Sequence, residues 1–201
     1  MKSTSQSNRA YLQSGAALIE ALVAILVLSL GLLGIAGMQL NALAFQKSSW
    51  ATHRIAELSG DIAERMQANP SGALKNNYGY LATYSIAKSA TLTSNGCRPA
   101  PPATAPACSA AQIALDDMSA WLGKAQKSLP SGAVTLEGSS INGYIVTAMY
   151  LDKEFVDPTT GAAIPSTSCN SAMTSIAWRN CCPSAAAVPN GVRCSRSLIL
   201  P

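Results

Sequence analysis

Gly15-Ala-Ala-Leu-Ile-Glu20-Ala-Leu-Val-Ala-Ile-Leu-Val-Leu-Ser-Leu30 opens the apolar run that decides the fold of this chain. From Ala16 to Phe45 there are thirty residues, and Glu20 is the only charged one. At about 1.5 Å rise per helical residue the run is roughly 45 Å long, more than a hydrocarbon core of about 30 Å needs. A carboxylate inside such a run costs on the order of 2.5–3.5 kcal/mol to insert. A partner that neutralises Glu20 is therefore the first thing to look for.

The residues before the run read as an address. Met1–Gly15 is polar, with Lys2 and Arg9, and the apolar stretch after it is too long for the h-region of a secretory signal peptide. Basic residues ahead of the helix, with few beyond it, place the N-terminus in the cytoplasm and the C-terminus outside. Six cysteines, Cys97, Cys108, Cys169, Cys181, Cys182 and Cys194, all follow the helix. An even number confined to the exported part points to disulfides in an oxidising compartment. Fifteen pairings are open to six cysteines. Cys97 with Cys108 closes a Pro-rich loop, Cys182 with Cys194 ties the C-terminal strand, and Cys169 with Cys181 is what remains, because adjacent Cys181 and Cys182 strain a direct bridge.

Charge and composition exclude several functions. The chain holds 14 basic and 10 acidic residues; without Lys2 and Arg9 the count is 12 against 10. That excess is too small and scattered for nucleic-acid binding, so no specific nucleic acid is expected. One histidine, His53, supports no Ser/His/Asp, Cys/His or metal constellation, and neither metal nor cofactor is expected. Asp116 and Asp117 are adjacent on a helix and point to different faces, so they do not read as a catalytic pair. The expectation is a protein that is not an enzyme.

Beyond Phe45 the helix continues in amphipathic form. Ala51, Ile55, Leu58, Ile62 and Met66 form one apolar stripe, and Asn69-Pro70 ends it. Tyr78, Tyr80 and Tyr84 are expected to pin a loop onto the domain. A second helix is expected from Ala110 to about Lys127, with Ser109 and Gln112 as a capping box and Ile113, Met118, Trp121, Leu122 and Ala125 facing inward. Strands are expected at Ala133–Glu137, Gly143–Leu151, Ser171–Trp178 and Val192–Leu200, the first two as a hairpin. The fold class is α+β: a long N-terminal helix, its first half membrane-embedded, packed on a small antiparallel sheet with a disulfide-containing C-terminal region.

Gly15-Ala16-Ala17-Leu18-Ile19-Glu20 resembles the prepilin motif of type IV pilins and type II secretion pseudopilins, usually written G-F-T-L-I-E. The chain departs from it at Ala16, where phenylalanine is usual. Two further stretches, Asp61-Ile-Ala-Glu-Arg-Met-Gln-Ala-Asn-Pro70 and Cys108–Trp121 with Leu129-Pro-Ser-Gly132, resemble minor pilins of the PilV type, as does Leu28–Gly37 in the membrane helix. The resemblance implies the pilin fold, cleavage after Gly15 by a prepilin peptidase, and N-methylation of Ala16. It implies pairing of Glu20 with the N-terminal amine of a neighbouring subunit. Gly31, Gly34 and Gly37 then read as sites of close helix packing or bending. The implied organisation is a removed leader at 1–15, an assembly half of the helix at 16–45, an amphipathic half at 46–69, and a periplasmic or extracellular domain at 70–201. The implied function is that of a minor type IV pilin that helps prime pilus assembly and links to a tip adhesin, supporting adhesion and twitching motility. Its partners would be other minor pilins, the major pilin, the adhesin, the peptidase and, before assembly, the inner membrane. The final location would be the pilus at the cell surface, at or near the tip. The alternative is a type II secretion pseudopilin, which shares the processing and the helix.

Overall fold

The computed structural model describes residues 14–98, 104 and 106–200; most of the polar leader and of the Pro/Ala loop between Cys97 and Cys108 lies outside them. The chain divides into two compact units, Met1–Trp50 and Ala51–Pro201. The first unit contributes the apolar part of helix α1, whose bounds are Ser14–Ala68.

In the second unit the end of α1 is followed by α2 (Pro70–Leu74), α3 (Tyr84–Ala87) and α4 (Ala110–Ser128). Strands β1 (Ala133–Ser139) and β2 (Gly143–Leu151), helix α5 (Ser175–Asn180) and strand β3 (Val192–Ile199) complete it. The architecture is α+β, with an antiparallel sheet of order β1-β2-β3. Pairing of Val134 with Ala148 and of Val146 with Ser197 fixes the register. Alternation along the strands then gives each face its own residues.

One face holds the larger core. Val134, Leu136, Tyr144, Val146 and Ala148 meet Ile55, Leu58, Ile62 and Met66 of α1 and Met118, Trp121, Leu122 and Ala125 of α4. The periodic stripe on α1 is thus buried as its spacing requires, with Ile62 and Met66 fully covered. Trp121 brings a polar handle into this core and satisfies it, its Nε1 donating to the Leu58 carbonyl at 2.8 Å. The opposite face carries Ala133, Met149, Val192 and Cys194 against Tyr84, Ala87, Cys182 and Ala186.

Local signals account for the boundaries. Ser109 accepts from the Gln112 amide and the Gln112 side chain accepts from the Ser109 amide, a complete capping box at the start of α4. Pro70 disfavours helical geometry at Asn69, which ends α1 and then caps α2 through Oδ1. Gly138, at φ +127°, lets β1 close on β2; a Cβ there would sit 2.2 Å from the Gly143 carbonyl oxygen.

Ser171–Trp178 departs from expectation. The segment is a turn leading into α5, with Ser175 at φ +53° and no buried residue in the helix. Ile176 is 73% exposed, so the apolar residues that suggested a strand fill no core. The three tyrosines meet different surroundings: Tyr78 is fully buried, Tyr80 makes an isolated antiparallel bridge to Leu136, and the Tyr84 hydroxyl donates to the Ser131 carbonyl at 2.9 Å. Because Ile62 lies at the centre of the larger core, Ile62→Ala is expected to destabilise the second unit by about 2–5 kcal/mol, read from chemical denaturation followed by tryptophan fluorescence.

Candidate functional site

Within the first unit, the Gly15–Ala16 peptide lies in the first turn of α1, and Glu20 is four residues, or one turn, further on. Ala17–Leu40 is a 24-residue stretch with mean hydropathy 2.6, long enough to cross a membrane, and none of it is buried. Leu18, Leu22 and Leu33 each expose about two thirds of their surface, at 66%, 67% and 69%. The length and composition of Ala17–Leu40 suit a membrane span. The stretch holds 13 Leu, Ile and Val residues. At about 0.3–0.6 kcal/mol each they supply roughly 4–8 kcal/mol of insertion free energy, enough to carry the 2.5–3.5 kcal/mol cost of Glu20.

The helical period orders the polar and small positions. Gly31 lies eleven residues after Glu20, close to three full turns, so the two share a face about 16 Å apart. Gly34 is offset from that face by about 40° and Gly37 by about 100°. A Cβ at Gly31, Gly34 or Gly37 would meet nothing within 4 Å, so no contact among the described residues demands glycine there. Gly31 and Gly34 offer a close approach for a second helix on the side that carries the carboxylate, whereas Gly37 lies about a quarter of a turn away.

In the second unit the stretch Asp61–Pro70 forms a joint. Asp61 accepts from Arg65 Nε at 2.9 Å and from Lys124 Nζ at 3.3 Å, tying α1 to α4. Arg65 also reaches Asp117 at 3.2 Å. Asp117 is fully buried on α4 and accepts from the Tyr78 hydroxyl at 2.8 Å, with Arg98 Nε 3.1 Å away. Asn69 completes the joint, donating to the Ala110 carbonyl at 2.8 Å and to the Tyr78 hydroxyl oxygen at 3.2 Å. Gly72 is required by this arrangement, since a Cβ there would lie 2.3 Å from Asn69 Nδ2. Burial, with Asp117 beside it, pushes the Tyr78 phenol up, so it stays a donor.

Asp116 and Asp117 are therefore both buried, although adjacent. Helix α4 is covered on two sides: Asp117 faces the joint, and Asp116 accepts from the amides of Asn95 and Cys97, the latter at 2.6 Å. Burial pushes the Asp116 carboxyl up, and the two amides more than offset it, leaving the group below its ordinary value. These partners come from segments 20 or more residues away or lack any periodic signal, and sequence spacing did not indicate them. His53 is exposed on α1, as a helix-surface residue. Among the described residues no three of His, Cys, Asp or Glu are grouped to hold a metal ion.

Three disulfides join Cys97 to Cys108, Cys169 to Cys181 and Cys182 to Cys194. They close loops of similar length, at separations of 11, 12 and 12 residues, so each is worth about 3 kcal/mol in the loop-closure picture. Cys169–Cys181 closes the loop that carries α5, and Cys182–Cys194 staples the end of that loop onto β3. No protein-family model, no curated protein and no solved structure matches the chain.

Asp116 gives the site a pH signature. Its folded pKa lies below the unfolded value of about 3.9, so its stabilisation is complete above that pH and is lost as pH falls through the folded value. Asp157, held at about 2 by the Thr159 hydroxyl and the Thr160 amide, adds to the same acid limb. Asp116→Asn is expected to flatten that limb without removing it. Denaturation midpoints measured from pH 5 to pH 2.5 check this, and an unchanged slope contradicts it.

Proposed function

We propose that the chain is a minor type IV pilin of the PilV type. In this reading it is a non-catalytic subunit that primes pilus assembly with other minor pilins and the major pilin, and links the filament to a tip adhesin. The observation that carries the reading is the wholly exposed apolar stretch Ala17–Leu40, with Glu20 one turn after Ala16, on a chain whose remainder is a disulfide-tied α+β unit. Three physical steps follow. Cleavage after Gly15 removes the leader and creates an ammonium group at Ala16. The helix stays in the inner membrane, with the disulfide-bearing part outside. In a helix bundle, Glu20 then meets the Ala16 amine of a neighbour, and a paired charge replaces the isolated one.

The joint supports the assignment to the minor-pilin type rather than to pilin-like proteins at large. Asp61, Arg65 and Asn69 of the PilV-like stretch, and Ala110 and Asp117 of the second such stretch, bond to one another directly. Residues that resemble the family in two separate places thus meet in one place in space.

Processing and assembly are tested separately. The intact mass of the mature protein is expected to lack Met1–Gly15 and to carry one added methyl; a retained leader overturns the reading. Deletion is expected to remove or sharply reduce surface pili while leaving type II exoprotein release intact. Normal pili with lost exoprotein release would assign the chain to the pseudopilins instead.

A further inference from the structure

On the face of the sheet away from α1, one cross-strand rung is polar. Thr135 pairs with Thr147, and Thr147 with Arg196. All three are buried, and Thr135 Oγ1, Thr147 Oγ1 and Arg196 Nε have no hydrogen-bond partner among the described residues. The rung leaves a guanidinium inside the protein whose carboxylate neighbour, Glu137, is 3.6 Å away and one third exposed. Arg196 spends its charge elsewhere. Its Nη1 is 3.3 Å from Cys169 Sγ and 3.5 Å from Cys181 Sγ, and its carbon centre lies 4.6 Å from the Trp178 ring centroid.

The geometry points to Cys169–Cys181 as a thiol–disulfide exchange site, with Arg196 as the positioning residue that stabilises the departing thiolate, and with a dithiol reductant as the reactant class. Cys169 is partly exposed and Cys181 is fully buried. An incoming thiolate therefore attacks Cys169 Sγ, forming a mixed disulfide and breaking the Cys169–Cys181 bond. The electron pair goes to Cys181 Sγ, beside the guanidinium. The second thiol of the reductant then attacks its own sulfur in the mixed disulfide and releases Cys169. The reductant ends as a disulfide, two electrons enter the protein, and the two thiol protons pass to Cys169 and Cys181. A lower thiolate energy at the leaving sulfur speeds the first step. The Trp178 carbonyl, 3.3 Å from Cys181 Sγ, opposes a thiolate there, but a full charge at like distance outweighs a peptide dipole.

The other two disulfides lack this setting. Cys182 and Cys194 are 2% and 4% exposed in the apolar cluster with Met149 and Val192, where a thiolate is cut off from solvent. At Cys97 the nearby charge is the Asp116 carboxylate, and the Arg98 guanidinium is held on Asp117. Opening Cys169–Cys181 frees the loop that carries α5, with Ile176 on its surface, while Cys182–Cys194 still anchors that loop's end. This inference does not depend on the pilus reading.

The test uses the full chain in detergent micelles at pH 7, exposed to dithiothreitol for increasing times, quenched by alkylation, and resolved cysteine by cysteine by peptide mass spectrometry. Cys169 and Cys181 are expected to become labelled first, while the tryptophan fluorescence of the folded protein is retained. Arg196→Gln is expected to slow their labelling by about threefold or more, and Arg196→Lys, which keeps the charge, to restore most of the rate. A purely structural role predicts the opposite sign, because removing a buried side chain loosens the loop and speeds opening. Faster labelling in Arg196→Gln, or simultaneous opening of all three disulfides in the unmodified chain, overturns the proposal. The second outcome needs no variant to fold.

Discussion

Helix α1 carries two kinds of surface, and the rest of the structure depends on the change between them. From Ala51 onward, one side is apolar and is buried by the chain's own sheet and α4. Before that, Ala17–Leu40 is predominantly apolar, and none of it is buried among the described residues. Burying Ile55, Leu58, Ile62 and Met66 is worth about 1.5–3 kcal/mol each, comparable in sum with the net stability of a whole domain. The uncovered half has the length and composition of a membrane span. A single element thus both anchors one folded unit and carries a long exposed apolar stretch.

The polar groups follow the same division. In the second unit, charges near α1 are internally matched: Asp117 takes Tyr78, Arg65 and Arg98, while Asp61 takes Arg65 and Lys124. Exposed members such as the Lys124–Glu57 pair add little to stability, whereas the buried Asp117 ties α4 to Arg65 of α1 and to Arg98. In the apolar half, the carboxylate of Glu20 is placed where lipid offers it no compensation. The satisfied buried carboxylate of Asp117 thus contrasts with Glu20, the one charged residue of the exposed apolar stretch.

Much of this was legible because it is local. The stripe from Ala51 to Met66, the capping box at Ser109 and Gln112, and the β1–β2 hairpin all rest on residues within a few positions of one another. Asp116 and Asp117 were not legible, since i,i+1 neighbours on a helix face apart and nothing local announces that both sides of α4 are covered. Their partners come from Asn95 and Cys97 on one side and from Tyr78 and Arg65 on the other. α5, where a strand is expected, differs for a related reason. Its conformation is set by Ser175 at positive φ and by the flanking Cys169–Cys181 bridge rather than by burial of Ile176 and Trp178. Of the candidate site, Glu20 stood out because the one charge in a run of thirty residues needs no fold to be noticed.

The central claim is that Glu20 serves association between subunits rather than insertion or folding. The most direct measurement compares unmodified and Glu20→Ala chains in the membrane fraction and in surface filaments recovered by shearing. The account predicts equal, fully processed protein in the membrane and loss of the Glu20→Ala chain from the sheared fraction. Recovery of that chain in sheared filaments at the unmodified level would contradict it.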